Sequence, residues 1–486
     1  MVPQALKGAL LLCTLASTQQ AWAGALDLQE VGGPWGTPAT GGSPGLWWNP
    51  ATLSATHGTQ FLIDVAPVIG TVNLDRDDPL HGGPETWRVI TAVPFVGVNS
   101  DFGVPGLGVG GAFYIPYARA GKSTGSEDVG GTHLRSAQIF AMHTSFGVSY
   151  AWRDIVGVGV SGSWVHATWA ARIDNQITTL LADQIFETIP IYNSPADIYG
   201  DENVENPDYL ALADFQHLKD DAGTFQAGVF VRPHPRVMLS LGFVNGERVD
   251  HKGTLQLDLP CPPDTDTIGQ IAMNKYSLCG VTARGATVVG YRYPMRLHMG
   301  VQVKPTDDVT LEVMAGWTRW SEYKDFDIVA SGFTSDDTEI TPEADALLHQ
   351  DRKWARGNQD TGWIGVDVKG QPVPRLTVGG RVTYDRHASQ AGYLGPNTVD
   401  FDALRLMVMG SFQVSKKTPL EVGLSFTDDV DFKRVETENK FRVNVDPAAR
   451  VEDRLFFPTM NGTYSGSVQR IGVTIRGNFD APKGRR

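Results

Sequence analysis

Apolar and polar residues alternate strictly along many short segments of this chain. From Tyr293 to Val303 every second residue is apolar, and Arg296 and His298 fall between them. The same pattern recurs near 309–317, 404–412 and 471–479. Because successive side chains of a β-strand point to opposite faces, each segment is predicted to be a strand with one apolar and one more polar face.

The connections between the strands alternate in length. Fourteen strands are predicted, near 59–74, 86–101, 106–119, 133–152, 155–172, 222–233, 236–258, 286–304, 307–328, 358–369, 375–386, 402–414, 420–429 and 465–479. Even-numbered connections are short and odd-numbered ones are long, as in outer-membrane barrels but not in soluble sandwiches. An even strand count also closes an antiparallel sheet without a free edge. The sequence therefore predicts an all-β fold, a 14-stranded antiparallel transmembrane β-barrel over residues 59–479.

The first 23 residues predict a secretory signal. Lys7 precedes an apolar run, and Ala21-Trp22-Ala23 forms an A-x-A cleavage site. The alternative is an N-terminal membrane helix, but the run is shorter than the ~20 residues that would span a bilayer. An exported protein is therefore expected.

Composition and cysteine content exclude several classes of function. The formal net charge is -13 and there is no basic patch, so nucleic acid is not an expected partner. Cys261 and Cys279 remain after the signal and predict one disulfide, with two free thiols as the alternative. There is no Cys/His cluster for a metal, no cofactor motif, and no GxSxG or HExxH motif, so no enzyme is predicted.

The segment LWWNPATLSATHGTQFLIDVAPVIG (46–70) resembles the start of FadL/TodX-type transporters, the outer-membrane family for long-chain fatty acids and other hydrophobic compounds. In that family a short N-terminal hatch ends in an Asn-Pro-Ala motif directly before the first barrel strand. Here the motif is Asn49-Pro50-Ala51, and a strand is predicted from Thr59. Further segments match the family in order, at 106–118, 146–167, 218–255, 291–323 and 462–479. The early hatch lacks the family's glycine-arginine-alanine pattern.

The resemblance implies passive uptake of long-chain fatty acids or similar hydrophobic compounds. External loops would capture the ligand, a lumen site gated by the hatch (24–58) would hold it, and the ligand would leave sideways near strand 3. The implied partners are outer-membrane lipid and lipopolysaccharide, the barrel-assembly machinery and the hydrophobic ligand. A monomer is expected, with both termini in the periplasm and a short tail at 480–486.

Candidate ligand-binding and gating residues lie in three places. The hinge between hatch and wall supplies Trp47, Trp48, Asn49, Pro50 and Ala51. Glycines in strand 3 favour a bend that opens a gate, or simple barrel curvature as the alternative; they are Gly108, Gly110 and Gly111. In the large loop, apolar residues at helical spacing predict a capture groove, or loop packing as the alternative; they include Leu181 and Phe186.

A ligand with a carboxylate head would need a cation in the lumen. Arg172 is the candidate, and four further arginines occupy comparable strand positions: Arg296, Arg381, Arg405 and Arg476. The alternative is that the lumen arginines pair with acids such as Glu312 and Asp367. Two other functions stay open, a general diffusion porin with an open charged lumen and a structural barrel.

Overall fold

The computed structural model describes residues 30–76, 84–123, 134–176, 210–261, 273–395, 400–415, 419–431, 433–437 and 461–479. Within them one antiparallel sheet closes on itself, because β1 pairs with both β2 and β19. The strands are β1 (Thr59–Arg76), β2 (Pro84–Ser100), β3 (Leu107–Ser123), β4 (Ser136–Trp152), β5 (Val156–Gln176), β6 (Leu210–His234), β7 (Val237–Val244), β8 (Arg248–Asp258), β9 (Thr282–Arg292), β10 (Arg296–Thr306), β11 (Val309–Thr318), β12 (Asp325–Thr334), β13 (Gln350–Ala355), β14 (Thr361–Val373), β15 (Leu376–Asp385), β16 (Ala403–Gln413), β17 (Leu420–Asp431), β18 (Arg434–Glu436) and β19 (Gly462–Phe479).

These segments make fourteen barrel strands, five of which contain a break. The broken strands are formed by β7 with β8, β9 with β10, β11 with β12, β13 with β14, and β17 with β18. The two parts of each pair follow each other as one strand of the wall. For example, β7 pairs with β10, and its continuation β8 pairs with β9, the other part of the same neighbouring strand. The predicted 14-stranded antiparallel barrel is confirmed.

The predicted alternation of connection lengths is also confirmed. The short turns lie at 101–106, 153–155, 235–236, 307–308, 374–375 and 414–419. They share one end of the barrel, which we call the short-turn end, and the other end is the long-loop end. The strands reach further toward the long loops than predicted, so β6 begins at Leu210 rather than at 222.

Side chains of β5 show how the wall divides between its two faces. Near the short-turn end Val158, Val160 and Trp164 point outward and are more than half exposed. Ser161 and Ser163 point inward and are buried. An apolar outer face with a polar inner face is the arrangement of a barrel wall in lipid.

Beyond Trp164 the polarity of the two faces reverses. Val165, Ala167 and Trp169 point inward and are buried, while His166 points outward. A polar outside over an apolar inside is typical of β-structure in water. The long-loop end therefore extends past the lipid and encloses an apolar interior.

The N-terminal segment lies inside the barrel. It contains a 3-10 helix at Gly33–Trp35, an α-helical turn at Gly45–Trp48 and a second 3-10 helix at Pro50–Ala55. Two more short helices occur at Trp320–Glu322 and Pro342–Leu348. No helix in the described part of the chain has the length and apolar character needed to cross a membrane. The signal (1–23) and the tail (480–486) lie outside the described residues.

Candidate functional site

Asn49 fixes the junction between the hatch and the wall. Its Oδ1 accepts a hydrogen bond from the backbone N–H of Ala51 at 3.1 Å, which caps the 3-10 helix that begins at Pro50. Its Nδ2 donates to the carbonyl oxygen of Val229 in β6 at 3.1 Å. The backbone of Asn49 is extended, as expected for a residue before proline. One side chain thus orders the hatch and ties it to the wall.

Glycines in the wall let the hatch backbone approach closely. A methyl group on Gly228 would lie 1.9 Å from Oδ1 of Asn49, and one on Gly242 would lie 1.9 Å from the carbonyl oxygen of Trp48. A methyl group on Gly159 would lie 2.5 Å from the backbone N of Ala51. Sequence reasoning missed these three glycines, although each is a glycine at an inward position near the short-turn end.

The glycines of strand 3 serve the same contact. A methyl group on Gly108 would lie 2.4 Å from the backbone of Leu53, and one on Gly110 would lie 2.9 Å from its side chain. Gly111 lies against Phe146, whose ring is on the outer face. The first two glycines therefore receive the hatch.

Trp47 forms the roof of the hatch and is buried. Its ring lies 5.8 to 5.9 Å, centroid to centroid, from the rings of Tyr114, Tyr117, His143 and His298. These contacts come from three separate strands, β3, β4 and β10. The Trp47 ring therefore closes the top of the hatch and forms the aromatic bottom of the space above it.

Trp48 packs against His298 as well, and against Trp363 of β14. Its ring lies 4.8 Å from that of His298 and 6.0 Å from that of Trp363. Its Nε1 donates to the carbonyl oxygen of Val31 at 2.8 Å, which holds the start of the hatch against its end. Both tryptophans are thus buried in the lumen.

Arg296 lies directly above the roof. Its guanidinium carbon is 5.5 Å from the ring of Trp47, 4.8 Å from that of Tyr117 and 5.5 Å from that of Trp320. Its Nε donates to the hydroxyl of Tyr117 at 3.2 Å, and the residue is buried. The compartment above the hatch therefore combines aromatic walls with a buried cation, and the buried carboxyl of Glu247 lies within reach of its charge.

The strand breaks build this compartment. Three of them turn Glu247, Tyr293 and Trp320 inward, where all three are buried. Backbone bonds bridge the breaks, such as Tyr293 N–H to the carbonyl of Glu247 at 2.8 Å. The Tyr293 ring stacks on that of Tyr117 at 4.4 Å. Irregular backbone is tolerated at membrane depth where it is buried in protein.

Ion pairs fill the lumen on the other side of the hatch. Arg405 and Arg470 both contact Asp429, at 2.7 and 2.9 Å, and Arg470 also reaches Glu30 of the hatch at 3.3 Å. All four residues are buried. Arg405 is therefore part of an ion-pair network in the lumen, which was the alternative to a role in ligand binding.

Two further wall residues hold the hatch. Arg381 contacts Asp367 at 3.0 Å and donates to the carbonyl oxygen of Pro34 at 3.1 Å. Glu312 accepts from the Thr37 hydroxyl at 2.7 Å and from a hatch backbone N–H at 2.9 Å. Glu312 and Asp367 are the acids named above; Glu312 binds the hatch directly, and Asp367 pairs with Arg381, which does so.

The other two candidate cations do not face the compartment. Arg476 contacts Glu421 at 2.6 Å and lies 3.4 Å over the ring of Trp35, at the short-turn end. Arg172 points out of the barrel and contacts Asp214 at 3.1 Å, so its assignment to the lumen was wrong. The reason is the reversal beyond Trp164, which turns polar residues outward.

The ladder between β2 and β3 is interrupted toward the long-loop end. Pairing stops at Arg88 with Lys122 and resumes at Phe95 with Tyr114. Pro116, which has no N–H to donate, lies in the interrupted stretch of β3. The strand 3 glycines lie on the short-turn side of this opening.

Two pockets meet at the opening. The inner one is about 20 Å³, with Val72, Val89 and Leu134 in its lining. The outer one is about 430 Å³. Gly121 and Ala137 line both pockets, so these two residues separate the small inner pocket from the outer one.

Two predictions concern the long-loop end. Leu181 and Phe186 lie outside the described residues, so the capture groove stays a prediction. A disulfide joins Cys261 and Cys279, next to β8 and β9.

The polar floor of the lumen lies below the hatch. Two pockets open there, of about 160 and 320 Å³, and the larger is lined by charged residues that include Lys304, Asp307, Asp308 and Lys369. The hatch separates this polar floor from the aromatic compartment above.

Comparison with known proteins gives one family. Residues 14–479 match the family model described as outer membrane protein transport protein (OMPP1/FadL/TodX). No curated protein matches the sequence. In structure the chain is similar to a FadL homologue of Pseudomonas aeruginosa, at 14% identity and a TM-score of 0.68, over 94% of this chain and 100% of that one.

Two solved toluene transporters are also similar. TodX of P. putida matches at 13% identity and a TM-score of 0.63, over 94% of this chain and 100% of that chain. TbuX of Ralstonia pickettii matches at 13% identity and a TM-score of 0.60, over 93% and 99%. At such identities the structural likeness establishes the fold.

Proposed function

This chain belongs to the FadL/TodX family of outer-membrane transport proteins, which carry hydrophobic compounds, and we propose that it takes up long-chain fatty acids or similar molecules by passive diffusion. The short turns face the periplasm and the long loops face the outside, so both termini are periplasmic. The observation that carries the proposal is the buried aromatic cluster above Trp47, together with the interrupted ladder between β2 and β3.

Entry begins in the apolar interior of the long-loop end. Trp169 lies 5.1 Å from Phe215 and 6.0 Å from Phe326, and Phe326 lies 4.7 Å from Tyr291, ring centroid to ring centroid. Tyr291 in turn contacts Tyr293 of the compartment at 5.2 Å. This chain of aromatic contacts favours a hydrophobic solute, because a solute that moves between the rings removes its apolar area from water.

Arg296 supplies the place for a polar head. A buried guanidinium binds a carboxylate through short, charge-assisted bonds, and the aromatic rings around it accommodate the chain. This arrangement favours fatty acids over uncharged hydrocarbons such as toluene, the substrate of the similar TodX and TbuX.

Exit runs sideways through the opening between β2 and β3. The way straight down is blocked by the hatch and leads into the charged floor that contains Lys304 and Asp307. Burying apolar surface stabilises the solute by about 25 cal/mol per Å². A long apolar chain therefore prefers the lipid beside the barrel to the polar floor.

The test is uptake in cells or liposomes that contain the purified barrel. Labelled long-chain fatty acid should enter, and a labelled hydrophilic sugar of similar mass should not. Free passage of the sugar without the fatty acid would establish the diffusion porin instead. Passage of neither would favour a structural barrel. Mass spectrometry of any molecule that copurifies with the barrel would identify the natural solute.

A further inference from the structure

A row of polar residues crosses the outer face of the barrel beside the opening between β2 and β3. The register places Arg88 opposite Lys122, Lys122 opposite Ser136, Ser136 opposite Arg172, and Arg172 opposite Asp214. Directly opposed residues of neighbouring strands share a face of the sheet. These five residues, which we call the basic row, therefore lie at one level on five adjacent strands.

The basic row has excess positive charge. Arg172 is neutralised by Asp214, with Nε 3.1 Å from Oδ2. Among the described residues Arg88 and Lys122 have no ion-pair partner, although they stand directly opposite each other. Like charges in directly opposed positions destabilise an antiparallel pair. An anion bound between the two strands would remove this repulsion.

Outer-face arginines elsewhere are arranged differently. Arg248 contacts Asp250 at 2.9 Å, and Arg284 contacts Asp336 at 2.7 Å. These arginines are neutralised by the protein itself. Arg88 and Lys122 differ from these two arginines because no described acidic residue pairs with them, and they lie next to the opening.

A pocket with a mixed polar and apolar lining lies at the basic row. The outer pocket of about 430 Å³ is lined by both cations and by the small residues Ala120, Gly121 and Ala170. Ile90, two residues from Arg88 toward the lipid band, is 75% exposed. The two cations lie beside small and apolar residues, so the site fits an amphipathic molecule whose charged head group contacts the cations.

We propose that the basic row binds the phosphate groups of an anionic lipid of the outer leaflet, with an acyl chain in the pocket below. Neighbouring strands are about 4.8 Å apart, so Arg88 and Lys122 are close enough to bind one phosphate between them. Arginine contacts phosphate through two parallel N–H groups, and lysine adds a point charge. The lipid stands at the exit of the solute, and its binding does not depend on which solute is carried.

Native mass spectrometry of the purified full-length barrel tests this site. Three probes are used: a diphosphorylated glucosamine lipid, the same lipid without phosphates, and inorganic phosphate. The wild-type barrel should retain the diphosphorylated lipid and neither of the others. The double variant Arg88→Gln/Lys122→Gln should bind it roughly twenty-five-fold more weakly, at about fivefold per cation. Arg284→Gln is the matched control and should retain the lipid as the wild type does.

Each other outcome overturns the proposal. Equal retention by the double variant excludes the basic row, and equal retention of the dephosphorylated lipid means that only acyl chains are recognised. Tight binding of inorganic phosphate alone excludes a lipid. Heat-modifiable gel mobility shows whether a variant is folded. Asp214→Asn gives a second test in the opposite direction, because it frees Arg172 and should strengthen retention.

Discussion

Close contact between hatch and wall depends on single residues. The wall has glycines where the hatch backbone contacts it, and the side chain of Asn49 in the hatch forms a hydrogen bond to the wall. Gly228 and Asn49 meet at such a point, where there is no room for even a methyl group. Interiors packed this closely transmit small changes in volume to their neighbours.

Gly228→Ala should displace Asn49 and loosen the hatch. The added methyl group would lie 1.9 Å from Oδ1 of Asn49, and overpacking of this kind costs about 1 to 3 kcal/mol. Protease cleavage of the N-terminal segment in the folded barrel measures the effect. Gly223→Ala is the matched control in the same strand, since its methyl group meets nothing within 4 Å. Equal cleavage of both variants would contradict the close contact.

Asn49→Ala should slow hydrophobe uptake while the barrel stays intact. It removes the cap of the 3-10 helix and the bond to Val229, at a cost of about 1 to 2 kcal/mol, and so moves the roof at Trp47. Ser54→Ala is the control, because it removes a hydrogen bond within the hatch only. Uptake rates of labelled fatty acid give the comparison. Unchanged uptake in Asn49→Ala would count against the hatch as a gate.

At the scale of elements, polarity alone predicts the strands but not their interruptions. The alternation from Tyr293 to Val303 continues through the break at 293–295, so the break leaves no mark in the pattern. The strand count and the positions of the turns depend on polarity and turn residues, and they were predicted. Arg172 was misplaced because polarity says which residues share a face, and only the position of the lipid says which face is outside. The partners of Arg296 come from distant strands, and no local pattern records them.

The interruption between β2 and β3 is the element whose role can be tested most directly. Gly121→Leu should reduce fatty-acid uptake, because its side chain would fill the junction of the two pockets. A Cβ atom at this position meets Val89 at an ordinary 3.4 Å, so the barrel should fold normally. Gly162→Leu, on open wall of β5, is the control. Initial uptake rates should fall severalfold in the first variant and stay at the wild-type value in the second. Equal rates in both would exclude exit at this place.

At the scale of the whole molecule, the wall holds the hatch by two kinds of contact, one on each side of the lumen. One side holds it by shape, through wall glycines and the rings around Trp47 and Trp48. The other side holds it by polar contacts, through the ion pair of Arg470 with Glu30 and the hydrogen bond from Thr37 to Glu312. Breaking a buried ion pair by removing one partner costs about 3 to 5 kcal/mol, because a charge is left without compensation. Such a plug fits a closed channel better than an open pore.

Deletion of residues 30–55 should therefore turn a selective transporter into a leaky pore. A fourteen-stranded wall encloses more space than its own side chains fill, and without the hatch that space admits water and small hydrophilic solutes. Planar-bilayer recordings should show a stable increase in conductance, and cells should become permeable to a small sugar. Fatty-acid uptake should fall at the same time, because the aromatic floor at Trp47 is lost. The Ser54→Ala barrel, with its hatch in place, should show neither change. If the deleted barrel folds by heat-modifiable mobility yet conducts no better than the full chain, the closure of the lumen comes from the wall, and the hatch has another role.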